Sequence, residues 1–375
     1  MLTIIVKGTN GCNLACSYCS LGEKKDFKYV NVLRLIEIFE YSCNYAISKG
    51  ENRITFILHG GEPTLIHTQV YEEAIEYIKK NFSDLDITFS MQSNGLVITN
   101  EFIVFARKYD IHLGISIDGS QEIHDSERRT SGNEATYKRI TNNINKLLEA
   151  GVQVSCLMVM TKNAIGKGYD YLSYFEKRRL HLKINPLLNY GEVYEHPELS
   201  LEPGDYARYL IGLYEFVIEH DIEVTISPSD NILKAIIYNQ RLGECSFNKD
   251  CNKNFICIDY NGDIYPCGKF SDMNEFIIGN IYITGFEELM TRINERLFSR
   301  RNRNLPEACV KCNFLKLCNG GCSAEAVIDG DFNERPILCK DYKMLFEYFS
   351  KDGLVLLKEE LIRQKKQLEE KNIEL

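Results

Sequence analysis

Six β-rich runs, separated by helix-period stretches, dominate the first half of this sequence: Thr3 to Val6, Ile54 to Leu58, Ile87 to Met91, His112 to Ile117, Val152 to Met160 and His181 to Leu187. Between them lie the amphipathic stretches Val32 to Ser48, Gln69 to Asn81, Asn100 to Tyr109, Thr136 to Ala150 and Asp170 to Arg178. A strand reaches a parallel neighbour only through a crossover of about a dozen residues, usually a helix. The repetition therefore predicts an α/β fold, a partial (β/α)6 TIM-like barrel with its functional loops at the strand carboxyl ends.

The rhythm weakens after Glu202, where Pro203 opens a helical stretch to about His220 and another follows from Asn231. From Cys245 to Cys339 the texture changes to nine cysteines, short strand-like pieces and a turn at Gly262 and Asp263. Such a segment is expected to be stapled by metal rather than by a large apolar core. The chain thus divides into a barrel over 1–230, a small cysteine-rich domain over 231–350 and a Lys/Glu-rich, solvated helix over 351–375.

Charge narrows the choice of partner. The formal net charge is -9 and no run of five Lys or Arg occurs, which excludes a nucleic-acid backbone or an anionic membrane as the main partner. No apolar stretch reaches the roughly 18 residues of a membrane span, and the start MLTIIVKGTNGC has no signal-peptide architecture, so a cytoplasmic protein is expected. In that reducing compartment fourteen cysteines are expected as metal ligands or catalytic thiols rather than as disulfides.

Cys12, Cys16 and Cys19 stand in a Cys-x3-Cys-x2-Cys arrangement directly after the first strand. Three thiolates hold three irons of a cubane and leave the fourth open to a ligand. The alternative is a zinc site, but structural zinc takes four ligands and the next histidine in the chain is His59. The motif resembles that of the radical S-adenosylmethionine superfamily, in which the open iron binds S-adenosylmethionine and reductive cleavage yields a 5′-deoxyadenosyl radical. The resemblance extends to Gly60, Gly61 and Glu62, which match the family's GGE motif and are implied to meet the cofactor's methionyl amine. It also implies cofactor contacts at Gln92 and Asn94 after the third strand and at Ser116 and Asp118 after the fourth. Arg128 or Arg129 would pair with the cofactor carboxylate, and Asn185 would reach its adenosyl end.

The later cysteines form a second array, in which Cys251 is followed by ten residues, Gly262, four residues and Cys267. Cys309-x2-Cys312-x5-Cys318-x3-Cys322 and Cys339 come next. This spacing resembles the seven-cysteine SPASM domain, and Cys245 supplies an eighth ligand. The resemblance implies two auxiliary [4Fe-4S] clusters besides the radical one, the first on Cys245, Cys251, Cys267 and Cys322, the second on Cys309, Cys312, Cys318 and Cys339. Two structural zinc sites of four thiolates remain the alternative. Cys43, Cys156 and Cys257 sit among apolar neighbours and read as structural thiols.

The order of motifs is similar to the branch containing anaerobic sulfatase-maturing enzymes and maturases of ribosomally made peptides. It implies a peptide or protein substrate, a reductant such as flavodoxin or ferredoxin, and a monomer. In sulfatase maturases the residue after the cysteine matching Cys267 is typically an aspartate that takes the substrate proton; here it is Gly268. Glycine cannot act as a base, so a peptide maturase forming a thioether or carbon–carbon crosslink, or a related modification, is expected ahead of formylglycine formation. A non-catalytic iron–sulfur electron-transfer protein is the reading from another class, disfavoured by the GGE motif and the amino-terminal triplet. Eleven residues precede Cys12, so the barrel, the cysteine-rich surface or a separate protein would bind the substrate. The segment Asn189 to Glu202 is either an entry-channel lining or a solvated loop.

Overall fold

The computed structural model describes residues 1–21, 27–248, 251–271, 273–296, 305–328 and 334–373, without the side chains of residues 252, 294–296 and 366–373. Strands β1 (Leu2–Lys7), β2 (Arg53–His59), β3 (Asp86–Ser93), β4 (His112–Ser116), β5 (Val154–Met160) and β6 (Leu182–Pro186) form the expected parallel series. Each agrees with its predicted run to within two residues or so at either end, because the apolar alternation that marks a strand is also what buries it. In β1 the side chains of Leu2, Ile4 and Val6 are buried against the helices, while Thr3, Ile5 and Lys7 face the barrel interior. The helix Val32–Ser48 covers this outer face with Leu35, Ile38, Phe39 and Cys43, and the Asn31 side chain caps it by accepting from Arg34 N.

The sheet is larger than the sequence implies. It holds ten strands in the order β10-β9-β8-β1-β2-β3-β4-β5-β6-β7, with β7 (Ile226–Ser227) at one edge, so the barrel stays open. Strand β8 (Phe255–Asp259), from the cysteine-rich segment, adds in parallel to β1 with Lys7 opposite Asp259. It then turns through β9 (Asp263–Tyr265) to β10 (Gly279–Asn280) as antiparallel strands. Main-chain hydrogen bonds thus carry the sheet from the cysteine-rich segment straight into the barrel. Nothing local marks Phe255–Asp259 as the neighbour of Leu2–Lys7, since only tertiary pairing sets that register.

The carboxyl-terminal segment closes the molecule from another side. The helix Cys339–Ser350 buries Tyr342, Leu345, Phe346 and Phe349. Its Asp341 accepts from Gly204 N and Ala207 N, both at 3.0 Å, so a distant carboxylate caps the helix Asp205–Glu219 and meets the positive end of its dipole. The last helix, Asp352–Ile373, covers the charged tail. Among the described residues no helix is long and apolar enough to cross a membrane.

Candidate active site

The loop bearing Cys12, Cys16 and Cys19 follows β1 at its carboxyl end and is laid along the segment after the short helix Gln121–Glu127. Ala15 N donates to Arg129 O at 2.8 Å and Ser17 N to Glu127 O at 3.1 Å, with Leu14 and Thr130 bridged antiparallel. From the other side the glycine motif after β2 grips the same loop: Gly61 N donates to Thr9 O at 2.8 Å and Glu62 N to Gly11 O at 2.7 Å. Gly60 has φ 134°, a backbone open to glycine, and a Cβ there would stand 2.3 Å from Thr9 O. On Gly61 it would stand 2.1 Å from Gly11 O. These glycines let two backbones meet.

Glu62 is fully buried. Its Oε1 accepts from Thr64 N at 3.0 Å, Thr64 Oγ1 at 2.7 Å and Ser93 Oγ at 2.7 Å, and its Oε2 from Asn94 N at 2.7 Å. Burial pushes its carboxyl above the ordinary range, and those donors oppose the shift. The carboxylate therefore ties the end of β2 to the end of β3. Asn94, so placed, donates from Nδ2 to Asn13 Oδ1 at 2.8 Å and lies 3.7 Å from Cys12 Sγ. Gln92 Nε2 donates to Ser116 Oγ at 3.2 Å, across β3 and β4. Asn185 lies at the end of β6, half-buried.

Burial separates Arg128 from Arg129. Arg129 points outward and donates to Asn133 O, whereas Arg128 is buried, donates from Nη1 to Tyr18 Oη at 2.5 Å and holds Nε 3.8 Å from Asp118 Oδ2. Tyr18 in turn donates to Asp118, whose other oxygen accepts from Val159 N at 2.9 Å. Tyr18 lies between two of the motif's cysteines, and nothing in the sequence separates it from a packing aromatic. Sequence reasoning also misses Asn13 and the pair Glu127 and His124, which the unforeseen helix Gln121–Glu127 brings under the loop. Burial lowers His124 to about 4, so the ring is neutral; it lies 3.1 Å from Asp118 N and 3.0 Å from Thr136 Oγ1.

Burial also pushes the Cys16 thiol up to about 12, with Arg128 opposing the shift and Cys19 and Cys12 adding to it. A bound metal would supply further positive charge to ionise such a thiol. Of the five buried side-chain atoms lacking a hydrogen-bond partner among the described residues, three surround this loop: Ser17 Oγ, Glu127 Oε2 and Arg128 Nε. Orphaned buried polar atoms are costly. A ligand carrying an amine and a carboxylate fits this donor and acceptor set.

Glu127 offers a test of that environment. Burial raises its carboxyl from 4.5 to about 7, aided by Asp118, while its hydrogen bonds from Thr161 and Asn163 oppose the shift. The folded state then binds more protons than the unfolded one between about pH 4.5 and 7, so this group's contribution to stability is lost as pH rises through that window. Thermal unfolding from pH 5 to 8 should show a shallower decline in Tm for Glu127→Gln than for the parent. Identical slopes would contradict the assignment.

In the second array no disulfide forms among the described residues. Cys309, Cys312, Cys318 and Cys339 line one cavity with Phe314, Leu315, Tyr342 and Phe346. Cys267 and Cys322 pack on the cluster Phe270, Phe276 and Ala324. Burial drives the Cys267 thiol up, and Cys322 and Cys251 are near enough to add to the shift. Among the described residues no group of three or more His, Cys, Asp or Glu side chains is placed to hold one metal ion, so the fit to clusters rests on the donor sets and the cavity. Cys43, Cys156 and Cys257 are buried, as expected of structural thiols.

An open α/β barrel with a three-cysteine loop at its mouth and a cysteine-rich extension to its sheet defines a radical S-adenosylmethionine enzyme. The Radical SAM superfamily matches residues 6–164, and SPASM, an iron–sulfur cluster-binding domain, matches residues 245–313. The chain therefore carries both of these domains in that order. It is 29% identical over 358 residues to the cysteine-type anaerobic sulfatase-maturating enzyme of Clostridium novyi, covering 92% of this chain and 94% of that one. It is 27% identical over 390 residues to the serine-type enzyme of Bacteroides thetaiotaomicron, with 97% and 92% covered. The solved structure of native anSMEcpe with bound AdoMet superposes with a TM-score of 0.81 at 25% identity, covering 96% of this chain and 99% of that one. Streptococcus suis SuiB bound to its precursor peptide SuiA shares the fold, at a TM-score of 0.63, 17% identity and coverage of 89% and 74%.

Proposed function

We propose that this enzyme is a peptide maturase that forms a thioether or carbon–carbon crosslink. Gly268 carries the reading. It follows Cys267, and a Cβ there would lie 3.2 Å from Ile5 Cδ1 on the inner face of β1, so an apolar side chain borders the position at which sulfatase maturases typically carry a carboxylate. The relatives supply the substrate class: SuiB has been seen with a precursor peptide and anSMEcpe with the Cp18Cys peptide.

In this reading S-adenosylmethionine, when bound and reduced, supplies a 5′-deoxyadenosyl radical, and three [4Fe-4S] clusters supply the electron traffic. Cys12, Cys16 and Cys19 hold the radical cluster. Gly60, Gly61, Glu62, Gln92, Asn94, Ser116, Asp118, Arg128 and Asn185 shape the cofactor's bed, with Arg128 and Asp118 orienting its amino-acid end through Tyr18. Cys245, Cys251, Cys267 and Cys322 hold one auxiliary cluster, and Cys309, Cys312, Cys318 and Cys339 the other. The peptide loses two hydrogens, one as an atom to the radical and the other as a proton and an electron. Residues 1–230 generate the radical, 231–350 house the auxiliary clusters and 351–375 form an appended helix. The protein acts as a cytoplasmic monomer with a flavodoxin- or ferredoxin-type reductant.

Formylglycine formation is the second reading, favoured by likeness to sulfatase-maturating enzymes along nearly the whole chain. Mass spectrometry separates the two. A crosslink removes two hydrogens from a co-expressed peptide encoded beside the gene, whereas formylglycine made from cysteine exchanges hydrogen sulfide for oxygen. Efficient turnover of a sulfatase-derived peptide, with no loss of hydrogens from the neighbouring-gene peptides, would reverse the order.

A further inference from the structure

Lys269 stands two residues beyond Cys267, with its side chain one-third exposed at 32%. Its Nζ lies 2.8 Å from Glu325 Oε1 and 3.8 Å from Cys322 Sγ. Glu325 is 1% exposed and is held from two more directions: Tyr342 Oη donates to its Oε2 at 2.8 Å and Ser246 Oγ to its Oε1 at 3.3 Å. Each member of this network is a near neighbour in sequence of a cysteine in the second array. Ser246 follows Cys245, Lys269 follows Cys267 by two, Glu325 follows Cys322 by three, and Tyr342 follows Cys339 by three. The four segments that carry thiols are therefore knitted together by one polar knot, and its cation is aimed at a cysteine sulfur.

We propose that Lys269 is a tuning residue. Through its charge and its N–H···S contact with Cys322 it raises the reduction potential of the auxiliary cluster held by Cys245, Cys251, Cys267 and Cys322, and Glu325 sets the size of that effect. The inference rests on the cluster content proposed above. One-electron reduction adds a negative charge to the cluster, so a nearby ammonium stabilises the reduced form more than the oxidised one, and hydrogen bonds to the sulfurs act in the same direction. A nearby carboxylate does the opposite. Because Glu325 is fixed by Tyr342 and Ser246, it holds the ammonium in place while offsetting part of its field. A cluster raised in this way is the better acceptor for the electron that the peptide gives up after hydrogen abstraction. The base-less position at Gly268 lies one residue away.

The test uses the full chain with Cys12, Cys16 and Cys19 replaced by alanine, so that only auxiliary clusters contribute to an EPR-monitored redox titration. Lys269→Met is expected to lower the equilibrium constant for one-electron reduction roughly tenfold, about 59 mV for a one-electron couple. Glu325→Gln is expected to shift it the other way, and Lys269→Arg to restore most of the parent value. Opposite signs from two neighbouring, differently charged side chains are not produced by loosened packing. Shifts in the same direction, or none in protein that retains its iron and sulfide, overturn the inference alone. A parent without iron and sulfide overturns the proposed clusters and the inference together.

Discussion

Cys16→Ala is expected to abolish reductive formation of 5′-deoxyadenosine, by more than about 1,000-fold, because it removes one of the three thiolates proposed to hold the radical cluster. It should leave the fold in place. The loop's position depends on main-chain bonds from Ala15 to Arg129 and from Ser17 to Glu127, and on the grip of Gly61 and Glu62 on Thr9 and Gly11, none of which uses the thiol. Iron content should drop by about one third if two auxiliary clusters remain, while the unfolding temperature of the metal-free protein changes little. Cys43→Ala is the matched control. That thiol is buried in the helix Val32–Ser48 among Leu35, Ile38 and Phe39, is pushed up to about 12 by its burial and belongs to neither array. Its loss should cost some stability and no deoxyadenosine. Persistent deoxyadenosine formation by Cys16→Ala, measured by chromatography after dithionite reduction, would remove the radical-cluster assignment.

Much of this geometry is readable from the chain, for a reason that differs from part to part. The six barrel strands are legible because a buried parallel strand needs a run of apolar residues, and Ile54 to Leu58 or Val152 to Met160 have no other way to be buried. The cysteine grouping is partly legible because spacing within a loop, as in Cys309 to Cys322, is local, and Cys309, Cys312 and Cys318 do line one cavity, which Cys339 joins from a distance in sequence. Tertiary placements are not. Strand β8 joins β1 across some 250 residues of chain, with Thr3 opposite Phe255, and no local signal marks the pairing. Arg128 and Arg129 are adjacent and identical in type, and only the short helix Gln121–Glu127 turns one inward and the other out. The Asn189 to Glu202 segment, which reads from sequence as either a channel or a solvated loop, is anchored to the radical loop, since Glu192 N donates to Cys19 O at 2.9 Å and Val193 and Leu199 pack on Tyr18. The glycine motif reads from sequence as a surface for a ligand, and the structure gives its backbone a partner within the protein.

That last difference leads to a second large effect. Gly61→Ala puts a Cβ 2.1 Å from Gly11 O, 2.6 Å from Gly11 C and 2.8 Å from Asn10 O, all main-chain atoms of the segment that leads into Cys12. A flexible side chain would rotate away from such a clash, but a backbone must shift as a unit, and here it is fixed by the bonds from Gly61 N to Thr9 O and from Glu62 N to Gly11 O. Overpacking of this kind costs about 1–3 kcal/mol, more when main chain is displaced. Any relaxation also pulls Glu62 away from Ser93 and Asn94, which exposes a carboxylate now held by four donors. The metal-free protein should therefore lose stability, and the reconstituted protein should lose its radical cluster while keeping the auxiliary ones. Gly132→Ala is the control, because the nearest atom to its added Cβ is Thr130 Oγ1 at 3.7 Å. Calorimetry of metal-free Gly61→Ala discriminates two roles for the glycine. If Gly61 serves only to let S-adenosylmethionine approach, the unfolding temperature matches the parent and cofactor affinity alone falls; if it serves to seat the cysteine loop, stability falls before any cofactor is added.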